Sequence, residues 1–243
     1  LETAEAKIIV DEHKNPVKIV KRKRAQAEEM IEFFMLCANE AVASWLNEAD
    51  MPCVYRIHEE PDQEKLRALK TFISNIGLDT RPLHANKLTA KCLQEVLNEA
   101  KDKQLALPVS EVMLRSMMKA RYSEICAPHF GLALDKYCHF TSPIRRYPDL
   151  VVHRIVKKAI GGGLRGHAYS AMKSFAGRAA AASSENEKRA MMAEREIEEL
   201  YKCVYMKERI GQSYAGRVSS VTHFGLFVEL ENTCEGLVPI TDM

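Results

Sequence analysis

His139–Arg154 reads HFTSPIRRYPDLVVHR, and the way this stretch divides into loop and helix decides the fold around it. Thr141 and Ser142 followed by Pro143 form a helix-start signal. A hydroxyl caps free backbone N–H groups, and a proline in the first turn gives up a donor that has no partner there. On that reading Arg145 and Arg146 stand within the first helical turn. The partial positive charge of a helix N-terminus makes cations mildly unfavourable there, and a phosphate between the helix end and Arg145 resolves the conflict. An arginine fork donates in parallel to two phosphate oxygens and stabilises charge that builds up during phosphoryl transfer. The alternative is two surface arginines paired with neighbouring acids such as Asp149. His139 and His153 flank the motif and read either as acid/base partners or as hydrogen-bonded structural histidines.

Upstream, two strands are expected at 7–10 and 17–20, joined by the turn-rich DEHKNP, and they lead into the basic run Lys21, Arg22, Lys23 and Arg24. That run suits a solvated face or phosphate contact. From 25 to 47 the apolar residues Ile31, Phe34, Ala38, Val42, Trp45 and Leu46 recur every three or four positions, which predicts a long amphipathic helix with Trp45 in the core. Shorter helices are expected at 62–76, 89–101 and 109–121, with Asp62 and Thr89 as N-caps and Gly77 as a terminator. After GGGLRGH (161–167), a helical pattern runs from 169 to 209, interrupted mainly by Gly177. From Gly211 the period changes to alternation, with Val218, Val221, Phe227, Val228 and Leu230 separated by glycines, and a small β domain begins. An OB barrel presents aromatics on a sheet face where bases stack. Phe224, Phe227 and His223 are the candidates there, with Arg217 for a phosphate, and Phe227 also reads as barrel core.

The composition sets limits on these readings. The 243 residues, 47% hydrophobic and 28% charged, describe a soluble globular chain, without the ~20-residue apolar run that a membrane helix needs. Lys and Arg total 35 against 33 for Asp and Glu, so any nucleic-acid site is local. The seven cysteines show no CxxC pair, which argues against structural zinc and fits reduced thiols in a cytoplasmic protein. Both ends read as cut: there is no initiator Met, and GLVPITDM stops within an alternating pattern.

The run GLALDKYCHFTSPIRRYPDLVVHR (131–154) resembles the signature of the ribonuclease R and ribonuclease II (RNB) family of processive 3′-to-5′ exoribonucleases. The resemblance continues in AKIIVDEHKNPVKIVKRKR (6–24), IEFFMLCANEAVA (31–43) and SENEKRAMMAERE (184–196), and HFGLFVEL (223–230) resembles an S-one-type RNA-binding barrel. It implies an α+β chain. Residues 1–209 would be the helix-rich C-terminal portion of an RNB catalytic domain, and 210–243 the first strands of an incomplete OB-fold barrel. It implies cleavage of single-stranded RNA to nucleoside 5′-monophosphates by a monomeric enzyme, with Arg145 as the catalytic arginine at the scissile phosphate. Arg146, Glu187 and Glu32 would lie along the RNA, although Phe33 stands where relatives carry a second acid after Glu32. A non-catalytic RNA-binding protein of the same fold is the alternative.

The family's magnesium is held by clustered aspartates, because two-metal cleavage needs several hard oxygen ligands. Here Asp11, Asp50, Asp62, Asp79, Asp102, Asp135, Asp149 and Asp242 are scattered, with no two within ten residues of each other. The metal ligands are therefore expected outside this chain.

Overall fold

The structure, a computed structural model, describes residues 6–22, 25–84 and 88–242. In chain order the elements are β1 (Ala6–Val10), β2 (Pro16–Lys21), α1 (Gln26–Glu48), β3 (Tyr55–Ile57), α2 (Gln63–Asn75), α3 (Ala90–Asp102) and α4 (Ala106–Ser116). There follow β4 (Arg121–Ser123), α5 (Tyr147–Ile160), α6 (Gly166–Lys207), β5 (Gly216–Thr222), β6 (Gly225–Leu230) and β7 (Glu235–Pro239). Contacts divide the chain into two units, one of residues 26–187 and the other of residues 1–25 with 188–243. The architecture is α+β and helix-rich, as expected.

Within 26–187 there are two cores. In the first, Ala43 and Leu46 of α1 meet Tyr55 and Ile57 of β3, Val151, Val152 and Ile155 of α5, and Ala176, Ala179 and Ala180 of α6. In the second, Leu66, Leu69 and Ile73 of α2 pack with Leu93, Val96 and Leu97 of α3 and Val109 and Met113 of α4. The cap signals act as the sequence implies: Asp62 Oδ1 accepts from Lys65 N at 2.8 Å and Thr89 Oγ1 from Cys92 N at 3.4 Å. Gly77 follows α2 at φ 73°, where a side chain would strain the backbone.

Four expectations are corrected. The helix of the TSPIRR motif starts at Tyr147, with Pro148 in its first turn, instead of after Ser142. A helix begun at Pro143 would meet Pro148 in its interior, where the missing N–H and the ring's clash with the preceding turn break it. Ser142–Arg146 is instead a tight turn in which Arg145 N and Arg146 N both donate to Ser142 O, at 3.3 and 3.0 Å. The helix expected at 109–121 ends at Ser116. Arg121 opens β4, which pairs antiparallel with β3 through Arg56↔Tyr122. Trp45 is 41% exposed, because the face of α1 that meets the core is Asn39, Ala43 and Leu46 at spacings of four and three. Finally, α6 passes through Gly177 without interruption. A Cβ there would lie 3.4 Å from the Glu124 carboxylate, so this glycine admits a neighbouring side chain instead of ending the helix.

In the other unit, β1 and β2 form an antiparallel hairpin, and β5, β6 and β7 form an antiparallel sheet in that order. The hairpin turn is held by Asp11 Oδ1, which accepts from His13 N and Asn15 N at 2.9 and 2.8 Å. Lys23 and Arg24 of the basic run lie outside the described residues, and Lys21 and Arg22 are exposed.

One buried amide ties α1 to the motif. Asn39 is 2% exposed; its Oδ1 accepts from Phe140 N (2.9 Å) and Thr141 N (3.2 Å), and its Nδ2 donates to Tyr137 Oη (3.0 Å). Asn39→Ala leaves two backbone donors without their acceptor and is expected to lower the unfolding free energy by about 3 kcal/mol. A denaturant midpoint that falls at unchanged slope would bear this out.

Candidate functional site

The motif is built around a carboxylate. Asp149, on the first turn of α5 and fully buried, accepts at Oδ2 from Ser142 N (2.8 Å) and from Arg146 Nη2 (2.9 Å). The turn from Ser142 to Arg146 is therefore fastened at both ends to one oxygen. Arg146 turns inward, its side chain 18% exposed, and its charge is matched by Asp149. The paired alternative thus describes Arg146 and not Arg145. Arg145 lies at the exposed crest of the turn beside the fully exposed Ile144, with no side-chain hydrogen bond or ion pair among the described residues. Asp149 neutralises one arginine of the pair and leaves the other to face solvent as the net charge of the motif.

The two flanking histidines are structural. His153 Nε2 is 2.8 Å from Phe140 O, and its ring stacks on Phe140 at 4.0 Å and 9°. His139 Nδ1 is 2.9 Å from Tyr122 Oη. Burial first, and then the charges of Arg146 and Arg56, the neighbouring His129 and the charge of Arg145, hold His139 down to about 3, so at neutral pH it is uncharged. Burial, opposed by the Arg56 charge and aided by Glu187, pushes the Tyr122 hydroxyl up to about 12. The charges of Arg56, Arg145 and Arg146 all act on the neutral His139 imidazole, and of the three only Arg145 lacks a carboxylate partner among the described residues.

Glu187, on α6, joins this cluster. Its Oε2 accepts from Arg56 Nη1 at 2.7 Å. One turn earlier, Ser184 Oγ accepts from Tyr122 N at 2.9 Å, so β4 is laid along α6. Arg56 and Tyr122 carried no sequence signal of their own, since each stands on a three-residue strand too short for periodicity to mark. Glu32 lies on the exposed first half of α1, seven residues before Asn39 and on the same helical face.

In the other unit, the three aromatic candidates come together, but not on a sheet face as expected. His223 and Phe224 form the turn between β5 and β6, while Phe227 is a half-buried residue of β6. The His223 and Phe224 rings are 5.0 Å apart, and those of Phe224 and Phe227 are 6.1 Å apart, both edge to face. Gly225 follows the turn at φ 157°; a Cβ there would come within 2.3 Å of Val238 O, so the sheet closes only with glycine at this position. Arg217, expected to serve a phosphate, is paired through its Nη2 across the strands with Glu229 Oε2 at 2.7 Å.

No group of three or more His, Cys, Asp or Glu side chains among the described residues is arranged to hold a metal ion. The donor set of a hydrolytic two-metal centre does not fit these residues, and Asp149 is engaged with Ser142 and Arg146. No helix among the described residues is long and apolar enough to cross a membrane.

An RNB domain model matches residues 1–162, and an S1 RNA binding domain model matches residues 207–243. Ribonuclease R 1 of Lactococcus lactis is 44% identical over 242 residues, covering 100% of this chain and 30% of that protein. Ribonuclease R of Aquifex aeolicus is 42% identical over 242 residues, covering 98% of this chain and 34% of that protein. The chain therefore spans about a third of the length of these curated relatives. Among solved structures, Mycoplasma genitalium RNase R in complex with ribose methylated single-stranded RNA superposes with a TM-score of 0.93 at 31% identity, covering 100% of this chain and 38% of that one.

The half-buried histidines imply a pH dependence of stability. Unfolded, His139 takes up a proton near 6.5; folded, only near 3. The unfolded state binds more protons between those values, so this contribution is present above about 6.5 and is lost as pH falls toward 3. His129, held down to about 4 by burial and then by His58 and Arg56, acts in the same sense. Tm is expected to fall as pH is lowered from about 7 to about 4, and to fall less steeply in His139→Gln, which keeps an acceptor for Tyr122 but does not titrate. Equal slopes in the two proteins would contradict this account of His139.

Proposed function

Because the chain belongs to the RNB domain family, we propose that it is a fragment of a processive 3′-to-5′ exoribonuclease that hydrolyses single-stranded RNA to nucleoside 5′-monophosphates. The observation that carries this reading is the placement of Arg145. A turn fastened at both ends to the buried Asp149 holds it out, while the other charge of the pair is matched from within. An arginine that is already oriented donates to the phosphate oxygens on which charge accumulates as the scissile bond breaks, with little reorganisation at that moment. Arg146, proposed to lie along the RNA, holds the far end of the turn through Asp149. Glu187 and Glu32 lie along the strand of RNA approaching the phosphate. His223, Phe224 and Phe227 offer ring faces and edges to bases, a sequence-tolerant contact.

In this proposal residues 1–209 are the C-terminal portion of the catalytic domain and 210–243 the first strands of an S-one-type OB-fold. The match of the RNB model to 1–162 and of the S1 model to 207–243 supports that division. The metal is magnesium, held by residues this chain does not supply. The compartment is the cytoplasm, for which seven unbridged cysteines are the support, and the working unit is a monomer. Similarity along the whole chain to proteins called ribonuclease R favours hydrolysis over the non-catalytic RNA-binding alternative.

Arg145→Ala, in a protein extending this chain to the length of its relatives, is expected to slow RNA hydrolysis by about 100-fold or more while RNA affinity changes little. Near-normal turnover by that variant would overturn the assignment. The 243-residue chain by itself is expected to release no nucleotides with magnesium, and robust metal-dependent release would place the ligands among residues given no such role here.

A further inference from the structure

Arg56 belongs to none of the motifs that mark the RNA site, yet both its backbone and its side chain are held. Its backbone N–H donates to Tyr137 O at 2.8 Å, and its strand pairs with β4 so that Arg56 lies opposite Tyr122. Its guanidinium lies 4.6 Å over the centre of the Tyr122 ring. Tyr122 in turn is fastened to Ser184 of α6 through its N–H and to His139 through its hydroxyl. Only then does the Arg56 side chain, 14% exposed, reach Glu187 Oε2 at 2.7 Å.

We propose that Arg56 is a positioning residue for Glu187. Glutamate has three rotatable side-chain bonds, and on the surface of a helix it samples many orientations. Here one oxygen is held by a short charge-assisted bond from an arginine whose backbone is paired in β3–β4 and whose guanidinium lies over the Tyr122 ring. The other oxygen, Oε1, has no hydrogen bond among the described residues and stays available to the strand of RNA. A lysine would keep the charge but lack the planar fork and the stacking surface, so it would restore the effect in part. The inference rests on the proposed function in one respect: it takes the substrate beside Glu187 to be RNA.

The test is a double-mutant cycle of Arg56→Gln and Glu187→Gln, with Arg56→Lys beside it, in a protein extending this chain to the length of its relatives. Three quantities are measured: the single-turnover rate of hydrolysis of an oligoadenylate, the metal-free affinity for the same RNA by fluorescence anisotropy, and Tm. Arg56→Gln is expected to change the rate by about tenfold when Glu187 is present and by less than about twofold when Glu187 is replaced, with Arg56→Lys in between. The affinities should show the same non-additivity. Equal fold-changes in both backgrounds, or effects that follow Tm alone, would make Arg56 a structural residue and overturn the inference. If the unmutated protein binds RNA without hydrolysing it, the proposed activity fails, and the affinity cycle still decides the role of Arg56.

Discussion

One carboxylate oxygen, Oδ2 of Asp149, organises the signature motif. It accepts from the backbone of Ser142 and from the side chain of Arg146, four residues apart, and so sets the shape of everything between them. A buried carboxylate is tolerated only when it is paired and hydrogen-bonded, and the same two bonds that stabilise it create the turn. The division of labour between the two arginines follows. The one within reach of Asp149 turns inward, and its neighbour has nowhere to go but out.

The surroundings reinforce this arrangement. Asn39 anchors the entrance to the motif by its backbone, and the stacking of Phe140 on His153 secures the start of α5 to the same segment. Arg56 and Tyr122 face each other across β3 and β4 and bind the cluster to α6 at Ser184 and Glu187. The histidine between these arginines stays neutral and adds no charge of its own at neutral pH. A chain that is nearly balanced in charge, at +2, still leaves one unmatched cation at the motif: Asp149 pairs Arg146, Glu187 pairs Arg56, and Arg145 has no such partner among the described residues.

The S-one-like segment shows how far alternation carries. Three strands stand where glycines and alternating apolar residues implied them, and the aromatics meet as a cluster. What alternation missed was the hairpin turn at His223 and Phe224, since two polar or aromatic residues before a glycine fit a strand as well as a turn. Register then paired Arg217 with Glu229, which are 12 residues apart in sequence and directly opposite in the sheet.

The sequence by itself determined the fold class, the long helices, the caps at Asp62 and Thr89, and the identity of the motif that carries Arg145. These are local properties, encoded in period, in capping chemistry and in a long unbroken signature. Only the tertiary structure decided which arginine is neutralised, and that Arg56, Tyr122 and Glu187 belong to one cluster. Arg56 and Glu187 are 131 residues apart, and both strands that bring the cluster together are three residues long. No local pattern marks them, because their pairing is fixed by the packing of the elements around them.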